Sequence, residues 1–262
     1  MLPFINLFGF PLPTYGIFVS LGAMVGMAVA LLFCIKRRLD FQKCIIVMAL
    51  SLGAGLLGAK LLSIFTIYSP QRIIKLLLSS PLRLITDSGL VFFGGIIFAV
   101  PFVFLVSRLV RFDLAACEDI LVAAIAIGHS FGRVGCFLAG CCYGCESEAF
   151  GVVYTDPDCF APTGIPLFPI QLVEALFELA LFALFLFLCL KGKKKRLCLP
   201  IYLIAYPAFR FFAEFFRADA ERGFWLGIST SQWISFVALA VGVLIFILRT
   251  KNQKSIDINK KA

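Results

Sequence analysis

Long apolar runs recur along the whole 262-residue chain. Seven of them are about twenty residues long, which is the length that a helix needs to cross the hydrocarbon core of a bilayer. These predicted spans cover residues 12–35, 44–66, 89–110, 117–139, 168–190, 198–217 and 229–248. We therefore predict an all-α integral membrane protein built as a bundle of seven transmembrane helices.

The segments between the spans predict two smaller features and a tail. The segment 67–88 is too short and too charged to span, and its apolar face predicts an arm lying in the outer membrane interface. The segment 141–167 is rich in turn residues, which predicts a small extracytoplasmic cap with a little β structure. Residues 250–262 are polar and predict a cytoplasmic tail. The simplest organisation is one membrane domain, 1–262, that carries these three parts.

Composition and charge agree with a membrane location. Apolar residues make up 61% of the chain and charged residues only 15%. The net charge of +9 does not indicate a nucleic-acid partner, because the basic residues form short clusters beside the apolar runs. Two thirds of the 24 lysines and arginines lie on one side if the C-terminus is cytoplasmic. The positive-inside rule then predicts an outer N-terminus, and it places the unusual polar residues towards the outer leaflet.

The fourth apolar run ends in a stretch with unusual chemistry, between Gly128 and Gly144. It contains the only histidine of the chain, His129, and an arginine, Arg133, one helical turn later. On a helix these two side chains share a face. An arginine inside an apolar span is costly in lipid, so we expect a site that binds an anion or lines a wet cavity.

Charged residues also recur near the outer ends of spans five and six. Arg210, Glu214 and Arg217 are spaced to share one helix face. The acidic residues available to pair with the arginines are Glu174, Glu178 and Glu214. One interpretation is a buried ion-pair network that holds the helices together. The other is an anion site, because the arginines together with Lys60 exceed the number of glutamates. A phospholipid phosphodiester is the nearest anion, and guanidinium groups match its oxygens.

The cysteines leave three alternatives open. Cys141, Cys142 and Cys145 could bind zinc, although no histidine accompanies them and their spacing is poor. Cys145 and Cys159 could form a disulfide in an oxidising compartment. A thiol of Cys136, Cys141 or Cys142 could also act as an acyl-carrying nucleophile, because a nearby arginine would favour the thiolate.

Two segments resemble a known family. The segment Gly132-Arg-Val-Gly-Cys-Phe-Leu-Ala-Gly-Cys-Cys-Tyr-Gly144 resembles the signature of the bacterial prolipoprotein diacylglyceryl transferases, whose commoner form is G-R-x-G-N-F-x-N-G-E-x-x-G. The segment Tyr206-Pro-Ala-Phe-Arg-Phe-Phe-Ala-Glu-Phe-Phe-Arg217 resembles the family pattern Y-x-x-F-R-x-x-x-E-F-x-R. Further matches are Tyr15-Gly16, Gly58-Ala-Lys60, Gly94-Gly95, Phe168-Pro-Ile-Gln-Leu-Val-Glu174 and Ser231-Gln232. The resemblance runs in order from about residue 12 to residue 249.

The resemblance implies a reaction in the bacterial plasma membrane. The diacylglyceryl group of phosphatidylglycerol would be transferred to the thiol of the lipobox cysteine of a prolipoprotein, as the first step of lipoprotein maturation. The thiol would attack a glycerol carbon, and glycerol phosphate would leave, which requires a thiolate and a neutralised phosphate. The implied partners are phosphatidylglycerol, the lipobox of the signal peptide and membrane lipid. No metal or organic cofactor is implied.

The resemblance also implies roles for single residues. Arg133 and Arg210 would bind the phosphate, and the two candidates for the base that deprotonates the thiol are His129 and Glu214. The residues expected to bind substrate are Tyr15, Lys60, Gly94, Gly95, Gly144, Glu174, Tyr206 and Arg217.

Several positions depart from the family pattern. Cys136 and Ala139 stand where the family commonly has asparagines, and Cys141 stands at its acidic position. Phe93 replaces the family histidine before the paired glycines, so a base at that place cannot act here. His129 could take its role, although a single histidine is more often a packed, hydrogen-bonded group. The departures keep open a related transferase with a different acceptor, and also a lipid-binding or transport protein without chemistry.

Overall fold

The computed structural model describes residues 1–7, 9–86, 89, 91–191, 196–219 and 223–259. The helices in this part of the chain are α1 (Thr14–Lys36), α2 (Phe41–Ile67), α3 (Pro70–Ser79), α4 (Pro81–Thr86), α5 (Phe92–Leu109), α6 (Leu114–Ala139), α7 (Ile170–Leu190), α8 (Cys198–Ala213) and α9 (Thr230–Asn259). A 3-10 turn, Glu214–Phe216, follows α8. The chain divides into two compact units, one made of residues Met1–Ala30 and Ala115–Ala262 and the other of Leu31–Leu114.

Six of the described helices are long and apolar enough to cross a membrane. They are α1, α2, α6, α7, α8 extended through its 3-10 turn, and α9 as far as Asn252. The protein is thus mostly helical, as an all-α membrane protein is. The remaining predicted span, 89–110, corresponds to α5, whose described apolar part, Gly94–Leu109, is shorter than eighteen residues. The count of seven spans stays a prediction.

The distribution of side chains within these helices is that of a protein surrounded by lipid. Large apolar side chains such as Leu32, Phe65 and Val237 are exposed. The buried positions of α2 are instead small or weakly polar and include Ser51, Gly58 and Ser63. Helices in a bilayer associate through such small residues, because apolar side chains gain nothing by leaving lipid.

Close helix contacts occur in each unit. In the first unit, α1 approaches α6 where a Cβ at Gly22 would lie 2.7 Å from Cβ of Phe131. In the second unit, α2 and α5 cross at Gly58 and Gly94, and a Cβ on either residue would meet the carbonyl oxygen of the other. Glycine is required at such crossings because any side chain would force the backbones apart.

Three short antiparallel hairpins complete the described structure. They pair β1 (Phe4–Leu7) with β2 (Phe10–Pro13), β3 (Val152–Val153) with β4 (Pro166–Leu167), and β5 (Phe224–Trp225) with β6 (Ile228–Ser229). The second hairpin lies in the predicted cap, where Tyr154, Ala161 and Leu167 form a small buried cluster. The predicted arm contains α3 and α4, and no residue of α3 is buried.

Some predicted features extend beyond the described residues. Residues 87 and 88 of the arm, residues 260–262 of the tail and the side chain of Phe93 lie outside the described part. The locations of the arm, the cap and the tail relative to a bilayer stay predictions.

Candidate functional site

A ladder of polar side chains crosses from α6 to α7 inside the first unit. Nδ1 of His129 lies 2.8 Å from Oε1 of Glu178, and Nη2 of Arg133 lies 2.9 Å from Oε1 of Glu174. His129 and Arg133 are four residues apart on α6, and their partners are four residues apart on α7 but follow each other in the opposite order along the chain. This is the pattern that two antiparallel helices make when one turn of each faces one turn of the other. The predicted shared face of His129 and Arg133 is therefore confirmed.

Helix α8 adds a tyrosine at each level of this ladder. The hydroxyl of Tyr202 donates to Oε1 of Glu178 at 3.1 Å, and that of Tyr206 donates to Oε1 of Glu174 at 2.9 Å. The two phenol rings stack with their centroids 5.7 Å apart and their planes within 8°. Tyr202 also lies 3.2 Å from Nδ1 of His129. Glu174 and Glu178 thus each have a partner on α6 and a tyrosine on α8.

Arg210 forms the third level, one turn beyond Tyr206. Its Nη2 lies 2.6 Å from Oε2 of Glu214 and donates to Oγ of Ser231 in α9 at 3.3 Å. Its Nη1 lies 3.8 Å from Oε2 of Glu174. Glu174 is therefore shared between Arg210 of α8 and Arg133 of α6. The ion pair between Arg210 and Glu214 follows the spacing read from the sequence.

These charges are withdrawn from solvent. The side chain of Glu174 is 2% exposed, that of Arg210 is 8% exposed and that of Arg133 is 14% exposed. A buried ion pair is tolerated only if its charges are matched and its N–H groups find acceptors. That second condition is incompletely met, because Nε of Arg133 and Nη1 of Arg210 have no hydrogen-bond partner among the described residues. Two buried donors next to one shared carboxylate can donate hydrogen bonds to the oxygen atoms of an anion.

Arg217 does not share the helix face of Arg210, so that prediction is wrong. Helix α8 ends at Ala213, and Arg217 lies in extended backbone after the 3-10 turn, where it bridges Gly144. Its guanidinium donates to both carboxylate oxygens of Asp219, at 2.9 and 2.7 Å. This pair reduces the predicted surplus of arginines, because Asp219 is an acidic partner in addition to the three glutamates.

The pairing with Asp219 also affects the pKa of Arg217. Burial alone would lower the pKa of the Arg217 guanidinium, but the hydrogen bonds and the charge of Asp219 raise this pKa above its ordinary value. Arg217 is therefore a fixed positive charge held by its own partner. Its position beside Gly144 brings that charge to the segment that follows α6.

Gly144 occupies a position where a side chain does not fit. A Cβ there would meet the carbonyl oxygen of Phe168 and would lie 3.0 Å from that of Phe216. The chain leaving α6 thus passes between the start of α7 and the end of α8, both of which carry site residues. The structure gives Gly144 a packing function, and its predicted role in substrate binding stays a prediction.

The other residues predicted to bind substrate lie in two places. Tyr15 is the second residue of α1 in the first unit, where a Cβ at Gly135 of α6 would lie 3.3 Å from its Cα. Lys60, Gly94 and Gly95 belong to the second unit. Nζ of Lys60 donates to the carbonyl oxygen of Gly89 at 3.2 Å, and the two glycines lie at the crossing of α2 and α5.

Tyr202 and Asp219 are site neighbours that the sequence analysis does not identify, and Ser231 appears there only as a match to the family pattern. Tyr202 could have been found, because it precedes Tyr206 by the same four residues that separate the members of the other two pairs. Ser231 and Asp219 follow breaks in the helices, and helical spacing carries no information across a break.

Three of the cysteines come together at the end of α6. The Sγ atoms of Cys136, Cys141 and Cys142 all lie within 4.8 Å of one another, and no further residue joins this group in the described part of the chain. The zinc alternative considered from the sequence groups Cys141 and Cys142 with Cys145, whereas the group in the structure contains Cys136 instead. Cys145 and Cys159 are both free thiols, so the possible disulfide between them is not formed.

The fold and this site define the class of the protein: a multi-pass helical membrane protein with a buried arginine–carboxylate site. A family model described as prolipoprotein diacylglyceryl transferase matches residues 3–248. The chain therefore belongs to the prolipoprotein diacylglyceryl transferase family. The family and the transferase class predicted from the sequence are confirmed.

Curated relatives cover nearly the whole chain. It is 32% identical to phosphatidylglycerol–prolipoprotein diacylglyceryl transferase 2 of Clostridium perfringens, over 95% of this chain and 96% of that protein. It is also 32% identical to the phosphatidylglycerol–prolipoprotein diacylglyceryl transferases of Dehalococcoides mccartyi and Clostridium tetani. Those matches cover 94% of this chain and 92% of the relative in the first case, and 92% and 94% in the second.

Proposed function

We propose that this protein transfers the diacylglyceryl group of phosphatidylglycerol to the thiol of the lipobox cysteine of prolipoproteins. Membership of the transferase family supports the reaction, and the names of the relatives supply the donor and the acceptor. The observation that carries the proposal is the pair of buried arginines, Arg133 and Arg210, which share one carboxylate and keep two N–H donors that find no hydrogen-bond partner in the described part of the chain.

The donor lipid would bind through its phosphodiester at these two guanidinium groups. The contact from Nη1 of Arg210 to Glu174 is 3.8 Å long, which is too long for a hydrogen bond. A phosphate oxygen could therefore bind Nη1 without displacing an existing hydrogen bond. Leaving a buried donor unmatched costs about 1–3 kcal/mol, so supplying an acceptor to Nη1 and to Nε of Arg133 favours anion binding.

The same donors would stabilise the reaction as charge develops. The sulfur of the lipobox cysteine forms a bond to the glycerol carbon while the bond from that carbon to the phosphate oxygen breaks. The electron pair of the broken bond stays on the departing glycerol phosphate, which gains a negative charge. Donors that are already fixed by burial stabilise this charge without reorganising. Arg133 and Arg210 are fixed by Glu174 and Glu214.

Of the two candidate bases, we assign His129 to the removal of the thiol proton. A carboxylate on Nδ1, here that of Glu178 at 2.8 Å, fixes the tautomer in which Nε2 is the basic nitrogen. Glu214 is the weaker candidate, because its carboxylate lies 2.6 Å from Nη2 of Arg210. The proton would leave the thiol for the imidazole as the carbon–sulfur bond forms.

The orientation in the bilayer belongs to the same proposal. The basic clusters favour a cytoplasmic C-terminus, and with α5 as a seventh span the N-terminus lies outside. The third level of the ladder then lies towards the outer leaflet, where the acceptor is presented after secretion. The segment 67–88 would lie in the outer interface, and 141–167 would cover the extracytoplasmic end. The roles of Tyr15, Lys60, Gly94, Gly95 and Gly144 in substrate binding rest on the family resemblance.

A lipidation assay with purified protein tests the proposal. The full chain is incubated with phosphatidylglycerol vesicles and a lipobox peptide, and mass spectrometry detects the diacylglyceryl thioether. We expect Arg133→Ala and Arg210→Ala each to lower the rate at least about hundredfold, the scale seen when one fixed donor to a developing charge is removed.

A matched control is available at the other end of α6. Arg249 is also paired with a carboxylate, that of Glu118 in α6. At about 1.5 Å per residue, Glu118 lies about 22 Å from Arg133 along this helix. Arg249→Ala should therefore retain activity. If folded wild-type protein never lipidates the peptide, or if Arg133→Ala is as active as Arg249→Ala, the proposal is wrong. Complementation of a strain lacking its own transferase distinguishes a prolipoprotein acceptor from a different one.

A further inference from the structure

The cluster of Cys136, Cys141 and Cys142 has no role in the transfer described above. Its three sulfur atoms lie within 4.8 Å of one another although the residues come from two different local structures. Cys136 is buried in the last turns of α6, and the other two follow the helix end and are partly exposed. The cluster is thus anchored on a helix and remains open on one side.

The backbone after α6 is shaped to bring these side chains together. Gly140 ends the helix with φ +76°, and Cys142 takes φ +58°. The second value is notable, because a residue with a side chain seldom adopts the left-handed region. The turn folds the chain back over the helix end, where Sγ of Cys141 lies 3.7 Å from the carbonyl oxygen of Cys136. A strained conformation that gathers three thiols is typical of a functional site.

The spacing of the sulfur atoms fits metal coordination. Thiolate sulfurs lie about 2.3 Å from zinc, so three sulfurs around one ion are about 4 Å apart. The observed limit of 4.8 Å allows this arrangement with small side-chain movements. A disulfide uses only two sulfurs, and it would leave the third thiol of the group without a function.

Two positively charged side chains lie near the cluster. Arg133 precedes Cys136 by three residues on α6 and therefore lies on the same side of the helix. Arg217 bridges Gly144, two residues after Cys142. Three thiolates with one divalent ion carry a net charge of −1, and these two guanidinium groups lie near that charge although each is also paired with a carboxylate, Glu174 and Asp219. Soft thiolate ligands select closed-shell thiophilic ions over magnesium or calcium.

We propose that Cys136, Cys141 and Cys142 form a three-thiolate site for a soft metal ion of the zinc, cadmium or copper(I) class. The ion would bind at the extracytoplasmic end of α6, next to Arg133, with its remaining coordination position open. Binding releases the protons of the three thiols to solvent and involves no oxidation. The proposal is independent of the transferase reaction, because its test needs neither phosphatidylglycerol nor peptide.

Cadmium binding to the full-length protein in detergent tests the site. Cadmium is added to the reduced protein, and its binding is followed by the thiolate-to-metal absorption in the ultraviolet and by metal analysis after gel filtration. We expect one ion per chain. Cys136→Ala, Cys141→Ala and Cys142→Ala should each weaken the affinity at least about tenfold, because even a lost supporting contact has this effect. Cys145→Ala and Cys159→Ala serve as matched controls, since these thiols are also partly exposed, and they should bind like wild type.

A second measurement does not depend on the variants being folded. X-ray absorption of the zinc-loaded wild-type protein counts the sulfur ligands, and three at about 2.3 Å are expected. One sulfur or none, no bound metal in wild type, or equal loss in the two control variants would each overturn the proposal. The proposal would also be overturned if two of these three thiols formed a disulfide in the protein isolated without reductant.

Discussion

The shared carboxylate of Glu174 gives the sharpest test of the site. Its side chain is 2% exposed, and it accepts a hydrogen bond from Tyr206 at 2.9 Å and ion pairs from Arg133 and Arg210. Glu174→Gln keeps the shape and one acceptor oxygen but removes the negative charge between two cations. Breaking a buried pair by removing one partner costs about 3–5 kcal/mol, because the remaining charge stays buried. We expect the free energy of unfolding to fall by about that amount.

The matched control is Glu118→Gln. Glu118 also joins two arginines, Arg196 and Arg249, but the Arg196 side chain is 49% exposed and that of Arg249 is 21% exposed. Solvent screens such pairs, so the loss there should be about 1 kcal/mol or less. Fluorescence reports unfolding of the first unit, because both tryptophans of the chain, Trp225 and Trp233, lie in it.

The lipid dependence of this variant separates an anion site from a purely structural ion-pair network. If a phosphate binds at Arg133 and Arg210, it can replace the charge missing in Glu174→Gln. Phosphatidylglycerol should then raise the unfolding midpoint of the variant more than that of wild type, since a ligand stabilises the state that it binds. Diacylglycerol, which carries no phosphate, should act equally on both proteins. Equal stability of Glu174→Gln and wild type, or equal effects of the two lipids on the variant, would refute this reasoning.

Three further outcomes are expected. His129→Gln should lower kcat in the lipidation assay while the KM for phosphatidylglycerol stays within about twofold, because the imidazole is assigned to the thiol and not to the phosphate; a large rise in KM with kcat unchanged would contradict that role. Gly144→Ala should lower the free energy of unfolding by at least about 1–3 kcal/mol, because its Cβ would meet the carbonyl oxygen of Phe168. Gly53→Ala is its control, since nothing lies within 4 Å of a Cβ there and alanine stabilises a helix by up to about 1 kcal/mol; equal effects at both positions would disprove the packing argument. Arg217→Lys and Asp219→Asn should each destabilise by about 1 kcal/mol, and the double variant should lose less than the sum because the two residues form one bidentate pair; additive losses in thermal unfolding would show that the pair is not coupled.

Helical spacing predicted the local part of the site. The apolar runs located six long helices, and their period placed His129 beside Arg133 and Arg210 beside Glu214. These relations involve only residues one turn apart on the same helix, so they can be predicted from the sequence. The pairing between helices, such as Arg133 with Glu174, depends on how α6 and α7 pack, and spacing along one helix does not determine that.

The predictions that were wrong concern places where a helix stops. A helical period continued beyond Ala213 predicts Arg217 on the face of Arg210, but α8 ends at Ala213. The zinc alternative grouped Cys145 with its sequence neighbours, but the left-handed turn at Cys142 brings in Cys136 from the preceding helix. A period describes a regular element only, and chain reversals are set by a few backbone angles that the hydrophobic pattern does not encode.

The ladder has a consequence for how the helices assemble in the bilayer. One turn of a helix is about 5.4 Å long, so sliding α7 by one turn against its neighbours would offer Arg133 the carboxylate of Glu178, and would leave His129 and Glu174 without their present partners on the other helix. The level of His129 and Tyr202 would lose its carboxylate. Apolar helices can slide along each other in lipid at little cost, and these polar levels give α6, α7 and α8 a single insertion depth.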